Sequence, residues 1–239
     1  MNNTKKKSPI SWVPTAYFAM GLPFVVLNMV TVLMFKGLEV DDKLITFWTS
    51  LILLPWTLKP LWSPFLELFR TKKFFVIVTQ LITGITFGLV AFALNLSHFF
   101  SISIALLAIV AFSGATHDIA CDGVYMSELS NEDQARFIGW QGAFYNIAKI
   151  LATGGLVYLA GYFIELNADA GLLTANKRAW MIILLILSVT MILLGIYHLF
   201  ALPSTQSASS RKTLRSNKEV MKELGQVLMD FFRKTHITY

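Results

Sequence analysis

The chain has 239 residues, of which 55% are hydrophobic and 14% are charged, with a formal net charge of +6. Soluble domains carry about 25% charged residues, and disordered chains combine low hydrophobicity with high net charge, so both classes are excluded. A single cysteine excludes a disulfide scaffold. The composition therefore predicts a polytopic membrane protein, whose unit is a span of about 20 apolar residues.

Six apolar stretches are long enough to cross a bilayer as helices, in which every backbone polar group is paired. In chain order they cover about 12–35, 44–68, 74–96, 99–125, 137–164 and 180–202. We predict an all-α bundle over 12–202, preceded by a short segment at 1–11. Prolines at positions 55, 60 and 64 interrupt the second stretch.

The basic residues predict how the bundle is oriented. If the N-terminus is cytoplasmic, 14 of the 20 Lys and Arg residues fall in inside segments and four fall outside, with Lys59 and Lys149 within spans. The positive-inside rule then places both termini in the cytoplasm. This asymmetry accounts for the basic charge, so no nucleic-acid partner is expected.

The segment at 203–239 has a different character. A small polar linker is followed by one apolar stripe at helical spacing, formed by Val220, Leu224, Val227, Leu228 and Phe231. The pattern predicts an amphipathic cytoplasmic helix. It lies on the membrane or on the bundle, or it binds a regulatory partner.

Ionisable residues inside a span are costly, so they are candidates for function. Asp118, Asp122 and Tyr125 share one face of the fourth predicted helix, and His117 and Cys121 share the adjacent face. Two carboxylates one turn apart repel each other when both are ionised. We therefore predict that Asp118 or Asp122 takes up and releases a proton.

The fifth predicted helix carries a polar stripe. Gln141, Tyr145 and Lys149 recur every four residues, with Asn146 beside them. Counted from the predicted helix ends, Lys149 lies about 18 Å deep and Asp118 about 15 Å deep. We expect these two to face each other or to share a water-filled cavity on a transport path. The alternative is a structural ion pair between two helices.

Two further features concern cavity and packing. Lys59 lies near the middle of the proline-rich second stretch, where it faces the cavity or extends towards the membrane surface. Gly84 and Gly88 form a GxxxG pattern, and the Gly154–Gly155 pair is of the same small-residue kind. Such residues predict close helix packing.

The sequence contains no recognisable motif for catalysis or metal binding. His117 and Asp118 diverge by about 100° on a helix, and no second histidine follows at i+4. No GxSxG, P-loop or GxGxxG sequence is present. We expect neither an enzyme, nor a cofactor, nor a metal site.

Four segments resemble the AmpG-like muropeptide permeases, a branch of the major facilitator superfamily. They are MGLP at 20–23, LPWTLKPLWSP at 54–64, SGATHDIACD at 113–122 and TGG at 153–155. They look like the family's Gly-Leu-Pro, LPYTLKFLWAP, SATQDIxxD and SGG. His117 replaces the family's Gln, and Lys149 does not fall on the Arg expected in the fifth helix.

The superfamily's loop motif after the second helix is altered. Glu67 stands where its Asp is expected, and the basic part is reduced to Arg70, Lys72 and Lys73.

The resemblance implies the N-terminal six-helix half of a facilitator fold, built from 3+3 inverted repeats, with a second half expected to complete it. It implies proton-coupled uptake of anhydro-muropeptides across the bacterial inner membrane. Asp118 or Asp122 would couple the proton, while Lys59, His117, Gln141, Tyr145, Asn146 and Lys149 would line the substrate cavity. The alternatives are transport of another amphipathic anionic solute, or a membrane scaffold that does not transport.

Overall fold

The computed structural model describes residues 7–69 and 71–204, without the side chains at positions 65 and 67–69. Arg70, the Glu67 side chain and the amphipathic helix predicted in 203–239 therefore lie outside the described residues. The described part is all-helical. Five of its helices are long and apolar enough to cross a membrane, as expected for a helical membrane protein.

The first long helix, α1, runs over Pro9–Gly37. It includes a π-helical turn at Val26–Val30, just after Pro23. Proline has no backbone N–H to donate, and π turns commonly mark such local rearrangements. The hydroxyl of Thr31 donates to the carbonyl of Val26 at 2.8 Å, which satisfies a carbonyl inside the widened turn.

The predicted second span, 44–68, is not one helix. It is divided into α2 at Asp42–Ile52, α3 at Leu54–Thr57 and α4 at Lys59–Phe69. The divisions fall at Leu53 and Leu58, so that Pro55 and Pro60 each lie in the first turn of the following helix, where the missing backbone N–H costs no helical hydrogen bond. None of the three pieces is among the five long apolar helices.

The other four long helices are α5 at Lys72–Ala93, α6 at Phe99–Glu128, α7 at Asn131–Leu166 and α8 at Leu172–Ala201. They match the predicted spans but extend into polar sequence. Ser130 caps α7 by accepting from the backbone N–H of Asp133 at 3.2 Å, so this helix begins six residues before the predicted start at 137.

The bundle has two distinct ends. Trp12 and Tyr125 lie together at one of them, where Lys73 also donates to the carbonyl of Leu202 at 2.9 Å. We call this the basic end, because the described Lys and Arg residues that predict a cytoplasmic location lie there. At the opposite end, Lys177 lies over the ring of Phe99.

The GxxxG pattern is a packing face, as predicted. A Cβ added at Gly84 would lie 2.7 Å from Ile192 Cγ1 and 2.9 Å from the carbonyl oxygen of Ser188, so glycine lets α5 approach α8 closely. Gly154 has no such neighbour within 4 Å among the described residues. Gly154 therefore makes no close helix contact within the described residues.

α7 is the least covered of the long helices. Only 17% of its most apolar window is buried, compared with 44–67% in the other four. Asn146 and Lys149 of the polar stripe are exposed on it. One face of the bundle is thus open and partly polar.

Candidate functional site

Asp118 is held by two donors that converge on one of its oxygens. Lys59 Nζ lies 2.7 Å from Asp118 Oδ2, and the indole Nε1 of Trp56 donates to the same oxygen at 2.8 Å. The other oxygen, Oδ1, is buried without a hydrogen-bond partner among the described residues. The side chains of Lys59 and Asp118 are 28% and 10% exposed, so the pair is only partly shielded from its surroundings.

The proline breaks position both donors. Trp56 lies in α3 and Lys59 begins α4, on either side of Leu58. The indole of Trp56 also packs on α6, where a Cβ added at Gly114 would lie 2.9 Å from its ring. Gly114 precedes Asp118 by one turn, so the glycine gives the indole space to reach the carboxylate.

A second carboxylate lies one turn along the same helix. Tyr17 donates its hydroxyl to Asp122 Oδ1 at 2.8 Å, and Gln141 donates its amide to the hydroxyl oxygen of Tyr17 at 2.8 Å. This chain joins α1, α6 and α7. We call Trp56, Lys59, Asp118, Tyr17, Asp122 and Gln141 together the two-carboxylate site.

The charges of the two-carboxylate site do not cancel. When Lys59, Asp118 and Asp122 are all ionised, one net negative charge remains. In a poorly solvated setting such a charge favours binding of a proton or a cation. The site can therefore exchange a proton, and Lys59 can bind an anion if Asp118 becomes neutral.

Asp118 pairs with Lys59, not with Lys149. The predicted contact is not formed, because α7 begins at Asn131 and Lys149 therefore lies 18 residues into it, or about 27 Å. Asp118 is only ten residues from the end of α6 at Glu128, or about 15 Å. Gln141, also ten residues in, occupies the matching level and reaches the two-carboxylate site through Tyr17.

The remaining predicted cavity residues lie in different places. Tyr145 is half-buried beside Gly21. Asn146 is exposed and donates to the carbonyl of Gly142 in its own helix at 2.8 Å. The structure therefore joins only Gln141, of the polar stripe, to the two carboxylates by a hydrogen bond.

His117 faces the bundle interior. It is 2% exposed, and its Nε2 lies 2.9 Å from Gln80 Nε2. Gln80 Oε1 lies 2.9 Å from His198 Nδ1, and His198 Nε2 lies 2.9 Å from the hydroxyl of Thr15. The polar groups beside His117 are thus those of α5 and α8.

Two of the described loop-motif residues begin α5. Lys73 bonds the carbonyl of Leu202, and the aliphatic part of Lys72 covers Gly123, where an added Cβ would lie 2.7 Å from Lys72 Cδ. Both lie at the basic end of the bundle.

Sequence reasoning missed Tyr17, Trp56 and His198. An aromatic residue in an apolar run looks like core, so nothing in the spacing of Tyr17 or Trp56 revealed a hydrogen-bonding role. His198 did carry a signal, since an ionisable residue within a predicted span is itself a candidate.

No group of three or more His, Cys, Asp or Glu side chains is arranged to hold a metal ion within 7–69 and 71–204. No protein-family model matches the chain, and no curated protein matches it in sequence.

Proposed function

We propose that the chain is a six-helix half of a secondary active transporter of the major facilitator type, in the bacterial inner membrane. It couples protons to the uptake of an anionic sugar-peptide of the anhydro-muropeptide class. The observation that carries this proposal is the Lys59–Asp118 pair, with a second carboxylate one turn away at Asp122.

The pair supplies a physical reason for coupling. While Asp118 is ionised it holds the ammonium group of Lys59 at 2.7 Å. A proton on Asp118 removes this attraction and frees Lys59 for an anionic solute. A proton bound alone leaves Lys59 without its nearest carboxylate, and an anion bound alone adds to the net negative charge that the site already carries; both are costly in a bundle interior. Proton and anion therefore bind more favourably together.

The open face of α7 supports the proposed second half. A helix with 17% of its apolar window buried and with Asn146 and Lys149 exposed suits a surface between a solute path and another bundle. In facilitator-type transporters the solute binds near the midplane between two halves. We assign Tyr145, Asn146 and Lys149 to the solute side of this face.

Uptake of labelled anhydro-muropeptide by cells that express the full-length protein tests the proposal. We expect accumulation that an uncoupler abolishes and that Lys59→Met reduces severely. Lys177→Met, which removes a half-buried lysine at the opposite end of the bundle, is the matched control and should leave uptake near wild type.

Since Lys59→Met leaves Asp118 without its partner, surface abundance is measured for every variant. The double variant Lys59→Met/Asp118→Asn, which removes both charges, separates loss of folding from loss of uptake. No uptake by the wild-type protein, or undiminished uptake by Lys59→Met, would contradict the proposal.

A further inference from the structure

Four polar side chains form a continuous chain through the bundle interior, separate from the two-carboxylate site. Its members are His117 on α6, Gln80 on α5, His198 on α8 and Thr15 on α1, joined by three contacts of 2.9 Å each. Gln80 and His198 are fully buried, and His117 is 2% exposed. His117 Nδ1 ends the chain without a hydrogen-bond partner among the described residues.

The hydrogen-bonded chain of side chains runs from the middle of the bundle towards the basic end. His117 lies eleven residues before the end of α6 at Glu128, or about 16 Å at the rise of a helix. His198 is four residues before Leu202, and Thr15 is half-buried near the start of α1. Its inner end is therefore next in sequence to Asp118, and its outer end is the more exposed one.

Hydrogen-bond chemistry allows this chain only two neutral arrangements. In one, Thr15 donates to His198 Nε2, His198 Nδ1–H donates to Gln80 Oε1, and Gln80 Nε2 donates to His117 Nε2. His117 then carries its proton on Nδ1. In the other, the Gln80 amide is rotated by half a turn and every bond is reversed.

In the reversed arrangement Thr15 donates to the carbonyl of Trp12, a contact of 3.2 Å that the structure contains. Both histidines then carry their protons on Nε2. The inner and outer ends of the chain are thus linked. When the proton of His117 moves between Nδ1 and Nε2, the hydroxyl of Thr15 must change between donating to His198 and accepting from it.

We propose that this chain conducts the coupling proton between the level of Asp118 and the basic end, with the Gln80 amide as its gate. The transfer starts from the reversed arrangement, in which the Gln80 oxygen faces His117 Nε2. A proton binds at His117 Nδ1, and the Nε2 proton of His117 passes to that oxygen. Gln80 gives an N–H proton to His198 Nδ1, and the His198 Nε2 proton leaves at Thr15. Transfer of the O–H proton of Gln80 to its nitrogen and rotation of the group by half a turn restore the amide. One proton has then entered and one has left, and the chain is in the first arrangement, with both histidines protonated on Nδ1.

The charged groups around the chain lie at its two ends. Lys59 is a cation near His117, and Lys73 is a cation near His198. The inference rests on the proposed proton coupling and adds a route for the proton.

Gln80→Met tests the route, because it keeps the shape of the side chain and removes both hydrogen bonds. Gln80→Glu is the conservative variant, since a protonated carboxyl can both accept and donate. Thr83→Val is the matched control. It removes a buried hydroxyl that donates to Ser113 at 3.0 Å, one turn from Gln80 and outside the chain.

The first measurement is of labelled anhydro-muropeptide in cells expressing the full-length protein. We expect Gln80→Met to lose accumulation above the outside concentration while it keeps exchange of inside for outside solute. Gln80→Glu and Thr83→Val should keep both. Proton-driven accumulation by Gln80→Met at the wild-type level would overturn the proposed route.

The second measurement is of the histidine tautomers by ¹⁵N NMR, and it does not depend on transport. In the wild-type protein His117 and His198 should carry their protons on the same-numbered nitrogen, and Gln80→Met should abolish this agreement. Opposite tautomers in the wild-type protein would overturn the chain. If neither accumulation nor exchange occurs in the wild-type protein while the tautomers agree, the proposed solute fails and the chain stands.

Discussion

Asp118 accepts hydrogen bonds from Trp56 and Lys59 through one oxygen and leaves the other without a partner among the described residues. A carboxylate buried in this way depends strongly on its cation. Lys59→Met should destabilise the folded protein by about 3–5 kcal/mol, because it leaves a buried charge unpaired. The double variant Lys59→Met/Asp118→Asn should recover most of that loss.

Unfolding in mixed detergent micelles measures both variants and the Asp118→Asn single variant in one double-mutant cycle. If the losses from the two single variants simply add in the double variant, the pair is not coupled as the 2.7 Å distance requires.

Tyr17 joins Asp122 to Gln141 through its hydroxyl. Tyr17→Phe removes that hydroxyl and keeps the ring, which packs edge-on against Tyr125 at 5.9 Å. We expect a loss of about 1–2 kcal/mol in unfolding free energy, since two hydrogen bonds at roughly 0.5–1.5 kcal/mol each are removed. Unchanged stability would show that Asp122 and Gln141 do not depend on Tyr17.

At the residue scale, helical spacing predicts that Asp118 and Asp122 share one face of a helix and that Gln141 lies on a polar stripe. It could not find the partner of Asp118, because the prediction measured depth along straight helices from apolar boundaries. The breaks near the prolines place Lys59 beside Asp118. Because α7 begins with polar turns before its apolar run, Lys149 lies farther from the basic end than the sequence predicts. Both differences depend on the residue at which a helix begins, and an apolar run does not identify that residue.

At the element scale, α5 and α8 pack through glycine. Gly84→Ala should destabilise the protein by about 1–3 kcal/mol through overpacking, because the new Cβ would meet both a side chain and the backbone of α8. Gly161→Ala is the matched control, since nothing lies within 4 Å of its added Cβ.

The control should stabilise α7 by about 0.5–1 kcal/mol through helix propensity. Thermal unfolding in detergent compares the two variants. Equal effects of Gly84→Ala and Gly161→Ala would contradict the close approach of α5 to α8.

The helices themselves were largely predictable, because sustained apolar runs specify them. Five predicted spans correspond to the five long apolar helices. The run at 44–68 was recognised as interrupted by prolines but was expected to form one span, whereas Leu53 and Leu58 divide it into three helices. Proline in a sequence shows where a helix is interrupted, but it does not show in which direction the chain continues after the interruption.

At the scale of the whole molecule, the predicted orientation can be tested with single cysteines. Cys121 is the sole cysteine and is 1% exposed, so the wild-type background is low. Asp169→Cys and Glu132→Cys lie on exposed positions at opposite ends of the bundle. In intact spheroplasts a membrane-impermeant maleimide should label Asp169→Cys and reach Glu132→Cys only after lysis.

The reverse labelling pattern would contradict the orientation derived from the basic residues. Equal labelling of both positions in intact spheroplasts would contradict a bundle that crosses the membrane. The Glu132→Cys signal after lysis serves as the control for protein abundance.

We propose that Asp118 takes up the proton that accompanies the solute. The most direct measurement is the number of protons that leave the medium for each labelled anhydro-muropeptide that enters, in cells expressing wild-type or Asp118→Asn protein. We predict proton uptake with solute entry in the wild-type protein, and a strongly reduced ratio of protons to solute in Asp118→Asn. The proposed role of Asp118 would be contradicted if Asp118→Asn took up as many protons per solute as the wild-type protein. It would also be contradicted if solute entered through the wild-type protein without proton uptake.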